Sequence, residues 1–195
     1  MAGIKAPIQD ILAKLANLQV VNRDQQTVAL YARVWNNQVQ YEDQGKLYDF
    51  PKPAGFLQVI SPATYQVIGQ YYRNSDISFR IHLVHEFYDA GDGTFEQDLE
   101  IFDLRDAVIA LLSGYTPTGC GPLNCMVETQ DDVHTNIYHM MLDFVCNFTD
   151  SKGSPLDPDR NVYTPAVPPL TLEVDTTTGK GGGQMTQQTF LINNP

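Results

Sequence analysis

Two long runs of alternating residues, one on each side of a helical stretch, constrain this chain more than any other feature. In the first, Ile77, Phe79, Ile81, Leu83 and Phe87 fall on one side, with Ser78, Arg80, His82, Glu86 and Tyr88 on the other. In the second, Tyr138, Met140, Leu142, Phe144, Cys146 and Phe148 oppose Ile137, His139, Asp143 and Asn147. Side chains alternate across a strand with period two, so each run predicts a strand with one face in a core and one face outward. Each run spans about 11 to 12 residues, roughly twice the usual 5 to 6. Long strands with a wet face suit a sheet that lines or contacts something larger than itself.

Between the runs the pattern changes to helical spacing. Ile101, Leu104, Val108, Leu111 and Leu112 form one stripe, and Gly114 is placed to end the helix as a left-handed residue. Thr94-Phe95-Glu96-Gln97 has the form of a capping box, with Glu96, Asp98 and Glu100 in the early turns where the helix dipole favours negative charge. A first, shorter helix is predicted over 7–18. Pro7 suits its first position, and Ile8, Ile11, Leu12, Leu15 and Leu18 share a stripe. Residues 27–35 read as one strand, with Val28, Leu30, Ala32 and Val34 alternating against Ala29, Tyr31, Arg33 and Trp35. Residues 41–55 carry Pro51 and Pro53 and read as a loop; 56–60 read as a short strand, and 65–73 as an excursion interrupted by Gly69.

Composition changes after Asp150. Residues 151–169 hold five prolines, and 176–183 are almost entirely Thr and Gly, so a core is not expected there. The expected organisation is a domain over 1–150 and an extended Pro/Gly-rich arm over 151–195. In the arm, Leu170, Leu172 and Val174 alternate with polar residues, and Phe190 and Ile192 lie near the end. Such an arm can lie on a neighbouring subunit and add a strand to an open sheet edge.

The formal net charge of −11 argues against binding nucleic acid by neutralising phosphates. It suits a wall past which nucleic acid slides, because an acidic surface repels phosphate. Residues 86–106 alone contain eight carboxylates and one Arg. No stretch approaches the ~20 apolar residues of a membrane span, and 1–18 do not read as a secretory signal. Cys120, Cys125 and Cys146 make an odd count, read as free thiols in a reducing compartment, with Cys146 a small core residue. Cys120 and Cys125 lack a second pair, so no structural zinc site is expected.

Four polar residues could carry chemistry. If the two long strands pair, His82, Glu86, His139 and Asp143 could approach one another as a metal or acid–base cluster. The plainer reading is a solvated polar face with cross-strand pairs. His85, on the apolar side, reads as a semi-buried, hydrogen-bonded histidine. The Asp89–Gly93 stretch lacks the later ligands of a calcium loop, and 178–183 lack the frame of a phosphate loop. Neither an enzyme nor a cofactor is expected from these patterns.

The order helix, strand, loop, short strand, long strand, acidic helix, strand, long strand resembles the tail terminator (tail completion) proteins of long-tailed bacteriophages. The stretches that carry the resemblance are Phe79-Arg80-Ile81-His82-Leu83, the helix over 96–114 with Phe102-Asp103-Leu104-Arg105, Gly121-Pro122 leading into a strand, and Asn136-Ile137-Tyr138 entering the last strand. It covers 7–150; the tail lies outside the family core. The resemblance implies an α/β (α+β) subunit with a twisted, mostly antiparallel sheet packed by two helices. It implies a hexameric ring, assembled in the host cytoplasm into the virion, that caps the tail tube and ends its polymerisation. Its partners would be copies of itself, the tube protein and the head–tail connector, with DNA passing through without sequence-specific binding. On that reading Leu170, Leu172, Val174, Phe190 and Ile192 are candidate subunit contacts. Asp98, Asp103 and Asp106 are candidates to face the channel or a basic partner, while 41–55 and 65–73 would reach axially. The alternatives are another neck or tube protein, a small metal-dependent hydrolase using the four polar residues, or a soluble binding module.

Overall fold

The computed structural model describes residues 3–22, 24, 26–39, 50–60, 64–68, 71–86, 99–131, 133 and 137–152. By its contacts the chain divides into two units, Met1–Asp157 and Pro158–Pro195, and the described residues all belong to the first. Among them are helix α1 (Lys5–Ala16) and strands β1 (Gln19–Val21), β2 (Thr27–Ala29), β3 (Tyr31–Val34), β4 (Ala54–Ile60), β5 (Gln66–Ile68) and β6 (Tyr72–Glu86). Helix α2 (Glu100–Leu112) and strands β7 (Asn124–Asp131) and β8 (Ile137–Asp150) follow. The fold is mixed α+β; the described residues form these two helices and a mostly antiparallel sheet of six strands, five of them in the order β3-β4-β6-β8-β7. Strand β5 pairs with β6 beyond the end of β4, and among the described strands only β3 and β4 run parallel.

The long alternating runs form the centre of this sheet. β6 and β8 pair without interruption from Arg73↔Asp150 to Glu86↔Ile137, and they are 15 and 14 residues long, longer than the alternation alone predicted. Their apolar faces coincide. Phe79 sits opposite Phe144, Ile81 opposite Leu142 and Leu83 opposite Met140, all buried. Helices α1 and α2 cover this face with Ile11, Leu15, Ile101, Leu104, Val108 and Leu112. Each large side chain so buried contributes about 1.5–3 kcal/mol, and Cys146 packs among them as expected.

Three expectations need correction. Residues 27–35 are two strands divided at Leu30. The Leu30 N–H donates to the Leu18 carbonyl at 2.9 Å, so β2 completes a separate hairpin with β1 while β3 joins the main sheet. At the end of that strand Val34 is 53% exposed. The 41–55 loop ends earlier than expected, because Ala54 and Gly55 already pair with Val84 and Leu83. At the end of α2, Gly114 adopts φ +76° and its N–H donates to the Leu123 carbonyl, turning the chain toward β7. The capping box at Thr94 to Gln97 lies outside the described residues; Leu99, which flanks α2, makes no side-chain cap.

The largest correction concerns the second face of β6 and β8, expected to be wet. A second cluster of Val39, Phe50, Ala54, Phe56, Val84 and Ile137 covers much of it, with Tyr31 and Trp35 packed alongside. His82, His139 and Asp143 are therefore only 3%, 4% and 8% exposed.

Candidate functional site

Under that cover, four adjacent strands each contribute one polar side chain to a continuous chain. His82 on β6 is diagonal to His139 on β8, because the register pairs His82 with Met141 and Val84 with His139. Its Nδ1 lies 2.9 Å from His139 Nε2. On the β4 side His82 Nε2 is 2.9 Å from Gln58 Oε1. On the β7 side Asp131 faces His139 directly, with Oδ2 3.1 Å from Nδ1. The order Gln58–His82–His139–Asp131 thus crosses β4, β6, β8 and β7.

Trp35 closes this chain from above. Its ring is parallel to that of His82 and overlaps His139 at 5.8 Å between centroids. Phe56 meets Trp35 edge-on at 6.0 Å. The Trp35 N–H donates to the Leu57 carbonyl at 2.9 Å, continuing the β3–β4 ladder, so backbone pairing aims the indole at His82.

Hydrogen-bond inventory allows two proton arrangements. If Gln58 presents its oxygen, His82 donates from Nε2 and accepts at Nδ1 from the His139 Nε2–H. His139 must then also carry a proton on Nδ1 to donate to Asp131, as an imidazolium. If the Gln58 amide is turned, its NH2 donates to His82, both rings are neutral, and each donates from Nδ1 toward Asp131. The two arrangements differ by one proton. His82 itself stays neutral. Burial, then the charges of His139 and Arg80, lower its pKa to about 3, against the weaker opposing pull of Asp143 and Asp131.

The four residues expected to converge do so only in part. The structure brings His82 and His139 together. Asp143 is instead held by Arg80 through two bonds, Nε to Oδ1 at 2.7 Å and Nη2 to Oδ2 at 2.9 Å. Glu86 faces Lys52 at 4.0 Å. Among the described residues no group of three or more His, Cys, Asp or Glu side chains is placed to hold a metal. The sequence reading missed Gln58, Trp35 and Asp131. The available signal is Val84, an apolar residue on the face expected to be solvated, together with Ile137 on the same face.

The remaining candidates fall on the surface. Asp103 and Asp106 are exposed on α2, and Asp106 pairs with Arg105. Arg105 also grips Glu128 of β7 with bonds of 2.5 and 2.6 Å, holding that carboxylate below its ordinary pKa. Asp98 and the arm residues Leu170, Leu172, Val174, Phe190 and Ile192 lie outside the described residues. His85, expected to be semi-buried and hydrogen-bonded, is buried, with Nδ1 3.1 Å from the Glu86 carbonyl and Nε2 3.6 Å from Glu100. It lines a pocket of about 330 Å³ with Glu100, Asp103, Val20 and Pro53. Among the described residues β7 pairs on one side only, with β8, and β5 on one side only, with β6. Met126 and Val127 are exposed on β7, and Val67 and Ile68 are exposed on β5. Among the described residues no helix is long and apolar enough to cross a membrane. Comparison with known protein families and with curated proteins finds no match to this chain.

Proposed function

We propose that this protein is a virion structural subunit of the tail-terminator kind, forming a hexameric ring at the head-proximal end of a phage tail tube. The observation that supports this best is the pair of unlike, exposed edges of one sheet. β7 presents eight residues at one side with Met126 and Val127 uncovered; β5 presents Val67 and Ile68 at the other. An unprotected edge strand is a template for pairing with another chain. Contact between two unlike edges is head-to-tail, and such contacts close into rings when the rotation per subunit allows. In the proposed ring the tail supplies further contacts through Leu170, Leu172, Val174, Phe190 and Ile192. The exposed Asp103 and the overall charge of −11 suit a channel to which DNA does not adhere. A neck connector or a tube protein is the nearest variant. The hydrolase reading gains no support from the polar chain, since Arg80 occupies both Asp143 oxygens and Glu86 turns to Lys52.

The test is light scattering on the full chain beside a version ending at Asp157. The ring reading expects a hexamer-sized full chain and a smaller species after truncation. A full chain that stays monomeric contradicts it.

A further inference from the structure

We propose that Cys120 and Cys146 are a reversible dithiol–disulfide pair, a site of oxidative modification independent of the ring reading. Cys146 lies on the apolar face of β8 and is 4% exposed. Cys120 arrives from the other side of α2, in the connection that returns to β7. There it forms an isolated antiparallel bridge with Phe148. Two backbone bonds frame the bridge: Gly121 N–H to the Asn147 carbonyl at 2.7 Å, and Thr149 N–H to the Gly119 carbonyl at 3.1 Å. Gly119, at φ +78°, takes the left-handed conformation that lets the chain turn back onto β8 at this point.

Directly paired residues project to the same side of a sheet, and diagonal neighbours two residues on share that side. Cys120 therefore stands on the face that carries Phe148 and Cys146, as the diagonal neighbour of Cys146. The pair is also asymmetric. Cys120 is half-buried and reachable, whereas Cys146 is covered. The interaction of the two side chains lowers the Cys120 pKa and raises that of Cys146. A reachable thiol with enhanced thiolate character beside a shielded thiol is the arrangement of an attacking and a resolving cysteine. Cys125 is a control within the same chain. It is equally half-buried, its sulfur lies 4.0 Å from the Val127 carbonyl, and burial raises its pKa.

The oxidant class is a low-molecular-weight disulfide, such as oxidised glutathione. The Cys120 thiolate attacks one of its sulfurs, forming a mixed disulfide and releasing one glutathione thiolate. Cys146 then gives up its proton to solvent, and its sulfur attacks the Cys120 sulfur. The Cys120–Cys146 bond forms as the second glutathione thiolate leaves. The protein loses two electrons and two protons, and the oxidant leaves as two reduced glutathione molecules. The bond fastens the connection after α2 to the middle of β8.

The test is to incubate the folded full chain with oxidised glutathione, block remaining thiols with a maleimide, and map the peptides by mass spectrometry. The expected product is a Cys120–Cys146 linked peptide pair with Cys125 carrying the maleimide, reversed by a reducing dithiol. In Cys146→Ser, Cys120 is expected to stop at the glutathione adduct. Wild-type protein in which both Cys120 and Cys146 carry maleimide, or in which Cys120 retains glutathione, overturns the proposal. The wild-type map decides the question even if the variant does not fold.

Discussion

The Trp35 indole lies flat on the His82 imidazole, with ring centroids 3.7 Å apart and planes 2° from parallel. One residue beyond a four-residue strand thereby seals a polar chain that spans four strands. Trp35→Ala should cost about 3 kcal/mol, the lower end of the range for removing a large aromatic from a core, because Trp35 is only partly buried. Trp35→Phe should recover part of that loss. Urea denaturation measures both; a loss below about 0.5 kcal/mol for the alanine variant would mean the indole is not a structural cover.

His82 should make the fold acid-sensitive. Its folded pKa of about 3 lies below the ordinary 6.5, so between those values the unfolded chain binds the extra proton. Its contribution to stability is complete above pH ~6.5 and falls as pH drops, by about 1.4 kcal/mol per pH unit. Glu128 is also held low, by Arg105, but the ordinary glutamate value of 4.5 confines its effect to more acidic solution. Unfolding free energies measured from pH 7 to 5 should therefore have a shallower slope in His82→Gln than in the wild type. Parallel slopes would place the acid sensitivity elsewhere.

Asp143→Asn breaks a pair in which the carboxylate is nearly buried while the Arg80 side chain remains 30% exposed. The expected loss is about 2 kcal/mol, below the ~3–5 of a fully buried pair because water still screens Arg80. The double variant Arg80→Met with Asp143→Leu should regain most of it, since replacing both charges leaves neither unpaired. Chemical denaturation of the three proteins checks this.

By contrast, Arg105→Ala should cost less than about 1 kcal/mol, and high salt should shrink the effect. Glu128 and Asp106 are both exposed, so the link between α2 and β7 is a surface one. A salt-independent loss of several kcal/mol would show that β7 depends on α2 for its place.

The unlike edges of the proposed ring predict an asymmetric result on mixing. Val127→Asp should disable the β7 edge and Val67→Asp the β5 edge, leaving each variant monomeric alone. Mixed together, one intact β7 edge meets one intact β5 edge and heterodimers should form, detected by native mass spectrometry. Mixtures that remain monomeric would count against a head-to-tail contact through these edges.

The apolar face of the sheet was legible because period-two alternation in β6 and β8 and period-3.6 stripes in α1 and α2 record one-sided burial directly. The other face was not. Its cover comes from Trp35, Val39 and Phe50, which lie beyond the end of a short strand, in sequence without periodicity. Their destination is fixed by the parallel pairing of β3 with β4, a long-range contact that local pattern does not encode. His82 and His139 could be suspected from their shared side. Gln58 and Asp131 could not, because their roles depend on the register of β4 and β7. The division at Leu30 was hidden for a similar reason: Leu18, far back in sequence, takes its N–H.

The mass of the untagged full chain in solution, from light scattering across a concentration series, tests the ring reading most directly. The proposed ring requires an assembly of six 21.8 kDa subunits. A monomer at every concentration would contradict it.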